Sequence, residues 1–99
     1  MMSGRLTLLE RLEDCSQRGR TSTKLNLYNR QALKLEDLGF SVNRIAPSYG
    51  HLGQYHCNID WRQAKPGTEA YRLLMLAAAN NEQLHLELEG ESIPPVRPP

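Results

Sequence analysis

An α+β domain is implied by three stretches of this chain. Gln54 to Trp61 reads Gln-Tyr-His-Cys-Asn-Ile-Asp-Trp, with Tyr55, Cys57, Ile59 and Trp61 at every second position. Side chains alternate across an extended backbone, so this is a β-strand with one apolar and one wet face. Leu6, Leu9, Leu12 and Cys15 recur at three-residue spacing, the stripe of an amphipathic helix. Tyr71 to Ala79 is apolar nearly all round and rich in helix formers, which predicts a helix buried on a wide face. The 54–61 strand carries the only tryptophan and is the inner wall against which the rest packs.

In chain order, the first helix is expected over Ser3 to Ser16, with Arg5, Glu10, Arg11, Glu13 and Asp14 toward water. Gln17 to Thr23 interrupts it with Gly19 and a Thr-Ser-Thr run, a polar loop that ends in N-cap residues. The second helix is read from Thr23 to Leu38. Leu25, Tyr28, Ala32 and Leu35 share one stripe, and Gly39 follows as a C′ glycine. Leu25 and Leu27 also alternate like a short strand, which would start the helix near Asn29; one long helix is the preferred reading. Phe40 to Ile45 is the first strand. Ile45 falls out of phase, as a bulge or an early strand end would explain.

Pro47 to Gly53 is turn chemistry, including a Gly50-His51-Leu52-Gly53 run, and it joins the first two strands as a hairpin. After a polar connection, Thr68 is an N-cap and Glu69 suits the positive end of the helix dipole. Asn80-Asn81 ends that helix. Gln83 to Glu89 alternates Leu84, Leu86 and Leu88 with His85, Glu87 and Glu89, and predicts a third strand. The predicted order is α-α-β-β-α-β. A strand–helix–strand crossover makes the last two strands parallel, so the simplest mainly antiparallel three-stranded sheet has the order 2-1-3, with 1-2-3 as the alternative. Helices would cover one face and leave His56, Asn58, Asp60, His85, Glu87 and Glu89 on the other. A single domain is placed at 1–89. The segment 90–99 holds four prolines and little to bury, which predicts a disordered tail.

Charge narrows the partners only a little. The formal net charge is +1. Eight basic and five acidic groups fall in 1–44, against four and six in 45–99, so the two parts carry +3 and −2. An anionic partner would therefore meet the N-terminal half. Arg18, Arg20, Lys24 and Arg30 form the one basic cluster, and a flexible basic loop near a helix start suits phosphate. Two cysteines, Cys15 and Cys57, cannot make a disulfide framework. No apolar run is long enough for a membrane span, and no signal-peptide core follows Met1. The expectation is a reduced, cytoplasmic protein.

The chemistry-bearing residues do not assemble into a known site. His51, His56, Cys57 and Asp60 are metal-ligand types, but a strand sends His56 and Cys57 to opposite faces and no zinc spacing matches. No metal or cofactor is expected. His56 with Asp60, or His85 with Glu87, could act as acid and base only inside a pocket, which an exposed sheet face does not provide. Pro95 and Pro98 with Arg97 have the spacing of a polyproline ligand, in a segment whose composition reads as disordered. The expected function is a non-enzymatic protein-interaction or regulatory accessory module. It would act through the sheet face, an edge strand or the 47–53 loop, with Tyr49, His51 and Leu52 as contacts and another protein or a second copy as partner. The alternative is a nucleic-acid-binding accessory protein using Arg18, Arg20, Lys24 and Arg30.

Overall fold

A computed structural model of the protein describes residues 7–50 and 52–92. They form α1 (Leu8–Gln17), β1 (Ser22–Tyr28), α2 (Asn29–Asp37), β2 (Ser41–Pro47), β3 (Gln54–Asp60), α3 (Glu69–Ala79) and α4 (Glu82–Ser92). The sheet has the order β1-β3-β2, and β3 is antiparallel to both neighbours. β1 and β2 thus run parallel to each other with β3 between them, and α2 carries the chain across. The class is α+β, as the apolar pattern implies, but the order of elements differs from expectation in two places.

Thr23 to Tyr28 is a strand, so the single helix expected from Thr23 to Leu38 is replaced by β1 followed by α2. All seven residues of β1 have a partner in β3, from Ser22 opposite Asp60 to Tyr28 opposite Gln54. Leu25 and Leu27 alternate with Lys24 and Asn26 as that pairing requires. Helical spacing within one segment cannot register this gain, because it depends on a strand about thirty residues away. Tyr28 then starts α2, its backbone N–H donating to Gln31 Oε1 at 2.8 Å.

The second correction is Gln83 to Glu89, expected as a strand and found inside α4. Only Asn80 and Asn81 separate α3 from α4. Asn81 Oδ1 accepts the Leu84 N–H at 3.2 Å, and its amide Nδ2 donates to Gly19 O at 3.0 Å, which ties the turn to the end of α1. Leu84 is buried and Leu88 half-buried, an i,i+4 pair on one helix face, while Leu86 is exposed. Leucine, glutamate and glutamine are strong helix formers, so local propensity outweighs a three-leucine alternation.

Sheet order changes accordingly. The middle strand is 54–60, not 40–45, and the expected 2-1-3 arrangement with a strand at 83–89 does not occur. The phase slip at Ile45 is a bulge, with the register shifting between Arg44 and Ala46. α4 carries the helix past the expected 89 boundary to Ser92, and the proline-rich 93–99 lies outside the described residues, as do residues 1–6 and His51. Among the described residues no helix is long and apolar enough to cross a membrane.

The core forms on one side of the sheet. Leu27, Cys57 and Ile59 from the strands are buried with Leu12, Ala32, Leu35, Leu73, Leu74 and Ala77 from the helices. Trp61, just after β3, is 1% exposed. Its backbone N–H donates to Thr21 O at 2.8 Å, and its indole Nε1–H donates to the buried Ser16 Oγ at 3.1 Å. Phe40 meets the ring edge-on, with centroids 5.7 Å apart and planes at 78°.

Glycine sets both helix exits on this side. α1 ends as Gly19 N–H donates to Ser16 O (2.9 Å) and Arg20 N–H to Cys15 O (3.0 Å); α2 repeats the pattern with Gly39, Phe40, Glu36 and Leu35. Gly39 has φ +99°, and a Cβ there would stand 2.6 Å from the Thr68 Cβ. Thr68 in turn caps α3 through the Tyr71 N–H at 3.1 Å. Arg72 links α3 to α1, donating to Glu69 Oε2 at 3.0 Å and lying 3.5 Å from Glu13 Oε2. The Arg72 hydrogen bond holds the Glu69 carboxyl below its usual range.

Ser16→Ala leaves the indole N–H buried with no acceptor, which costs about 1–3 kcal/mol. Urea denaturation followed by Trp61 fluorescence should show a lower midpoint at unchanged m-value. A midpoint equal to that of the parent chain would show that the Ser16–Trp61 bond does not hold the fold.

Candidate functional site

The face of the sheet away from the core is open and polar. Its side chains stand in cross-strand rows read directly from the register. Lys24 lies beside Asn58, which lies beside Asn43; Asn26 lies beside His56, which lies beside Ala46. Ser22, Asp60 and Ser41 close one end. Period-two alternation puts all of these opposite Leu25, Leu27, Cys57 and Ile59.

His56 Nδ1 is 2.6 Å from Asn26 Oδ1 across the strands. Which of the two groups donates follows the imidazole tautomer. Asp60 is the one carboxylate on this face among the described residues, and its Oδ1 already accepts the Arg62 backbone N–H at 2.7 Å. A trough of about 940 Å³ crosses the middle of the face. Lys24, Leu25, Asn26, Gln54, His56 and Cys57 line it, Arg11 of α1 closes it on the β1 side, and Ile45 and Ala46 close it on the β2 side. No carboxylate lines it. Its polar lining is two cations, two amides and an imidazole, beside the apolar Leu25, Ile45 and Ala46.

The four basic residues singled out in the sequence are spread from the end of α1 to the first turn of α2. Arg18 caps the end of α1 and pairs with Asp14 at 3.2 Å. Arg20 is exposed in the loop before β1. Lys24 sits on the outer face of β1 itself rather than at a helix start. Arg30, in the first turn of α2, lays its guanidinium 4.9 Å from the Tyr28 ring centroid. Only Lys24 lines the trough, and Arg11 joins it there.

The hairpin residues fare differently. Tyr49 and Leu52 are 97% and 98% exposed at the β2–β3 turn, and Ile45 is 55% exposed at the bulge below them. His51, grouped with them in the sequence, lies outside the described residues. His85, Glu87 and Glu89, expected on the open face, are on α4, where His85 Nε2 lies 2.9 Å from Glu89 Oε2 and Arg62 pairs with Glu87 at 3.6 Å. His85 and Glu89 border a smaller cleft of about 300 Å³ floored by Leu74, Ala78 and Leu88. Among the described residues no three of His, Cys, Asp and Glu gather closely enough to hold a metal ion.

Asn26, His56 and Asn58 could be found from the sequence once 22–28 is read as a strand, because each alternates with a core residue. Arg11 carries no such signal. Its place at the trough depends on where α1 lies against β1. No protein-family model, curated protein or solved structure matches this chain.

The two thiols differ sharply. Cys57, on the core side of β3, is 1% exposed; burial pushes its thiol up, with the Arg44 charge pulling weakly the other way. Cys15 is half-buried on α1. Under native conditions at neutral pH, a thiol reagent should modify Cys15 first and Cys57 at least about tenfold more slowly, since the thiolate is the reacting species. Equal rates, read from Cys15→Ser and Cys57→Ser chains, would contradict the burial of Cys57.

Proposed function

We propose that this protein is a small nucleic-acid-binding accessory protein that presents the β1 side of its open sheet face to the ligand. One observation carries the reading: a broad trough whose polar lining is Arg11, Lys24, Asn26, Gln54 and His56, with no carboxylate. Amide side chains present paired donors and acceptors that match base edges, while lysine and arginine at the rim meet phosphates. No tyrosine or tryptophan lines the trough, the anchors that protein-binding surfaces favour. Arg20 is exposed just before β1 and Arg30 just after it, and Asp60 at the end of the sheet is the one carboxylate on the face among the described residues. The reading involves no catalysis and no cofactor, and the two free thiols suit a reducing compartment such as the cytoplasm.

The test is fluorescence anisotropy with short labelled duplex and single strands across a salt series. Binding should be measurable near about 50 mM salt and fall steeply toward about 200 mM. Lys24→Ala with Arg20→Ala should weaken duplex binding roughly tenfold or more. It should also flatten the dependence of log K on log salt by about 1.8, roughly 0.9 for each phosphate no longer neutralised. Absence of binding at low salt, or a double variant indistinguishable from the parent, would rule this function out.

A protein-interaction role is the second reading, supported by the hairpin tip alone. Tyr49, Leu52 and Ile45 are large, exposed and carried on one hairpin. Tyrosine is a frequent interface anchor. If the tip is the contact, Tyr49→Ser with Leu52→Ser should lose a protein co-purified from nuclease-treated native lysate while the far-ultraviolet spectrum stays unchanged. Retention of the same partner by the double variant would exclude the tip.

A further inference from the structure

The two edges of the sheet are built differently. The Thr21–Trp61 bond sets the phase of β1 against β3, so Thr23, Leu25 and Leu27 spend their backbone groups on β3. Those of Ser22, Lys24 and Asn26 then point outward, and among the described residues no partner meets them. Tyr28 N–H is excepted, being held by Gln31. β1 is regular over its seven residues, with no proline and no bulge. The β2 edge has both: the register breaks at Arg44/Ala46, and Pro47 has no N–H. A bulge and a proline are the usual means by which an edge strand is kept from pairing. One edge is closed to a new strand and the other is open.

We infer that β1 pairs antiparallel with β1 of a second copy about a two-fold axis at Leu25, making one continuous six-stranded sheet. Three features select that occupant and register. First, the axis sets Lys24 opposite Asn26 of the second copy, and both residues exchange both backbone hydrogen bonds. Ser22 N–H reaches the Tyr28 carbonyl, so every outward donor is used. An axis at Lys24 would put like charges face to face, and an axis at Asn26 would set Ser22 against Arg30, which already belongs to α2, so the outward Ser22 N–H would find no strand to pair with.

Second, Leu25 is only half-buried at the rim of the core, and this axis lays it against its own copy on the apolar side. Third, a groove of about 340 Å³ runs beside the edge between Leu8 and Arg11 of α1 and residues 25–27 of β1, which leaves space at the junction. The pairing does not depend on what the outer face binds. It would set two troughs side by side on one sheet.

The experiment is sedimentation velocity on the full chain over a concentration series, without nucleic acid, with circular dichroism to confirm the fold of each variant. Asn26 is exposed, so its replacements leave the core untouched. The parent chain should show a monomer–dimer equilibrium. Asn26→Lys sets lysine against Lys24 twice in the dimer and should weaken it roughly tenfold or more. Asn26→Asp makes two cross-strand ion pairs and should tighten it at low salt, an advantage that fades as salt rises. A chain monomeric at every concentration overturns the inference. So does a dimer that both substitutions leave unchanged or shift in the same direction.

Discussion

Trp61 is the residue on which the rest of the fold depends. It leaves β3 at the point where α1, β1 and the α2–β2 junction converge. Its backbone N–H closes the β1–β3 ladder on Thr21, its indole N–H reaches back to Ser16 on α1, and its ring edge receives Phe40. A side chain this large fills its space in one way only, so its position fixes how α1 lies against the sheet and where β1 begins. Ser16 is among the few buried polar groups, and it is there because the indole needs an acceptor.

From that anchor the sheet acquires two faces of different kind. Core residues of β1 and β3 alternate strictly with polar ones, so every gain in packing on one side places an amide, a lysine or an imidazole on the other. The outer face is therefore a by-product of the core pattern in its spacing but not in its composition. Serine and threonine would have served solubility equally well. Instead Asn26, Asn43, Gln54, His56 and Asn58 occupy it, side chains that both donate and accept. Arg44 shows the opposite arrangement: alternation from Val42 puts it on the α2 side, opposite Cys57, where it donates to Asn29 Oδ1 at 2.9 Å and pairs with Glu36. Its charge is spent on holding β2 to α2 and is not available to the face.

Much of the site was readable once one segment was placed. Lys24 was marked by its basic neighbours, and His56 and Asn58 by their alternation with Cys57 and Ile59. Asn26 was hidden because 23–38 satisfies a helical stripe as well as a strand. The stripe and the alternation share Leu25, so the two readings differ only in what lies across from it. Arg11 was not readable at all, since the reach of a surface arginine depends on the position of its helix. His85, Glu87 and Glu89 were misplaced for a related reason. Three leucines at every second position describe a strand, yet Leu84 and Leu88 alone satisfy a helix face.

The sequence by itself determined the elements whose signal is local. These are the 54–60 strand with its inward Cys57 and Ile59, the Thr68-capped helix α3 and the glycine exit after α2. Each rests on contacts within a few residues or on a backbone angle that only certain residues adopt. Tertiary structure alone decided which strand lies in the middle and that 22–28 is extended. Those outcomes turn on pairing and packing between segments far apart in the chain, where the free energy of the partner, and not the preference of the segment, chooses the conformation.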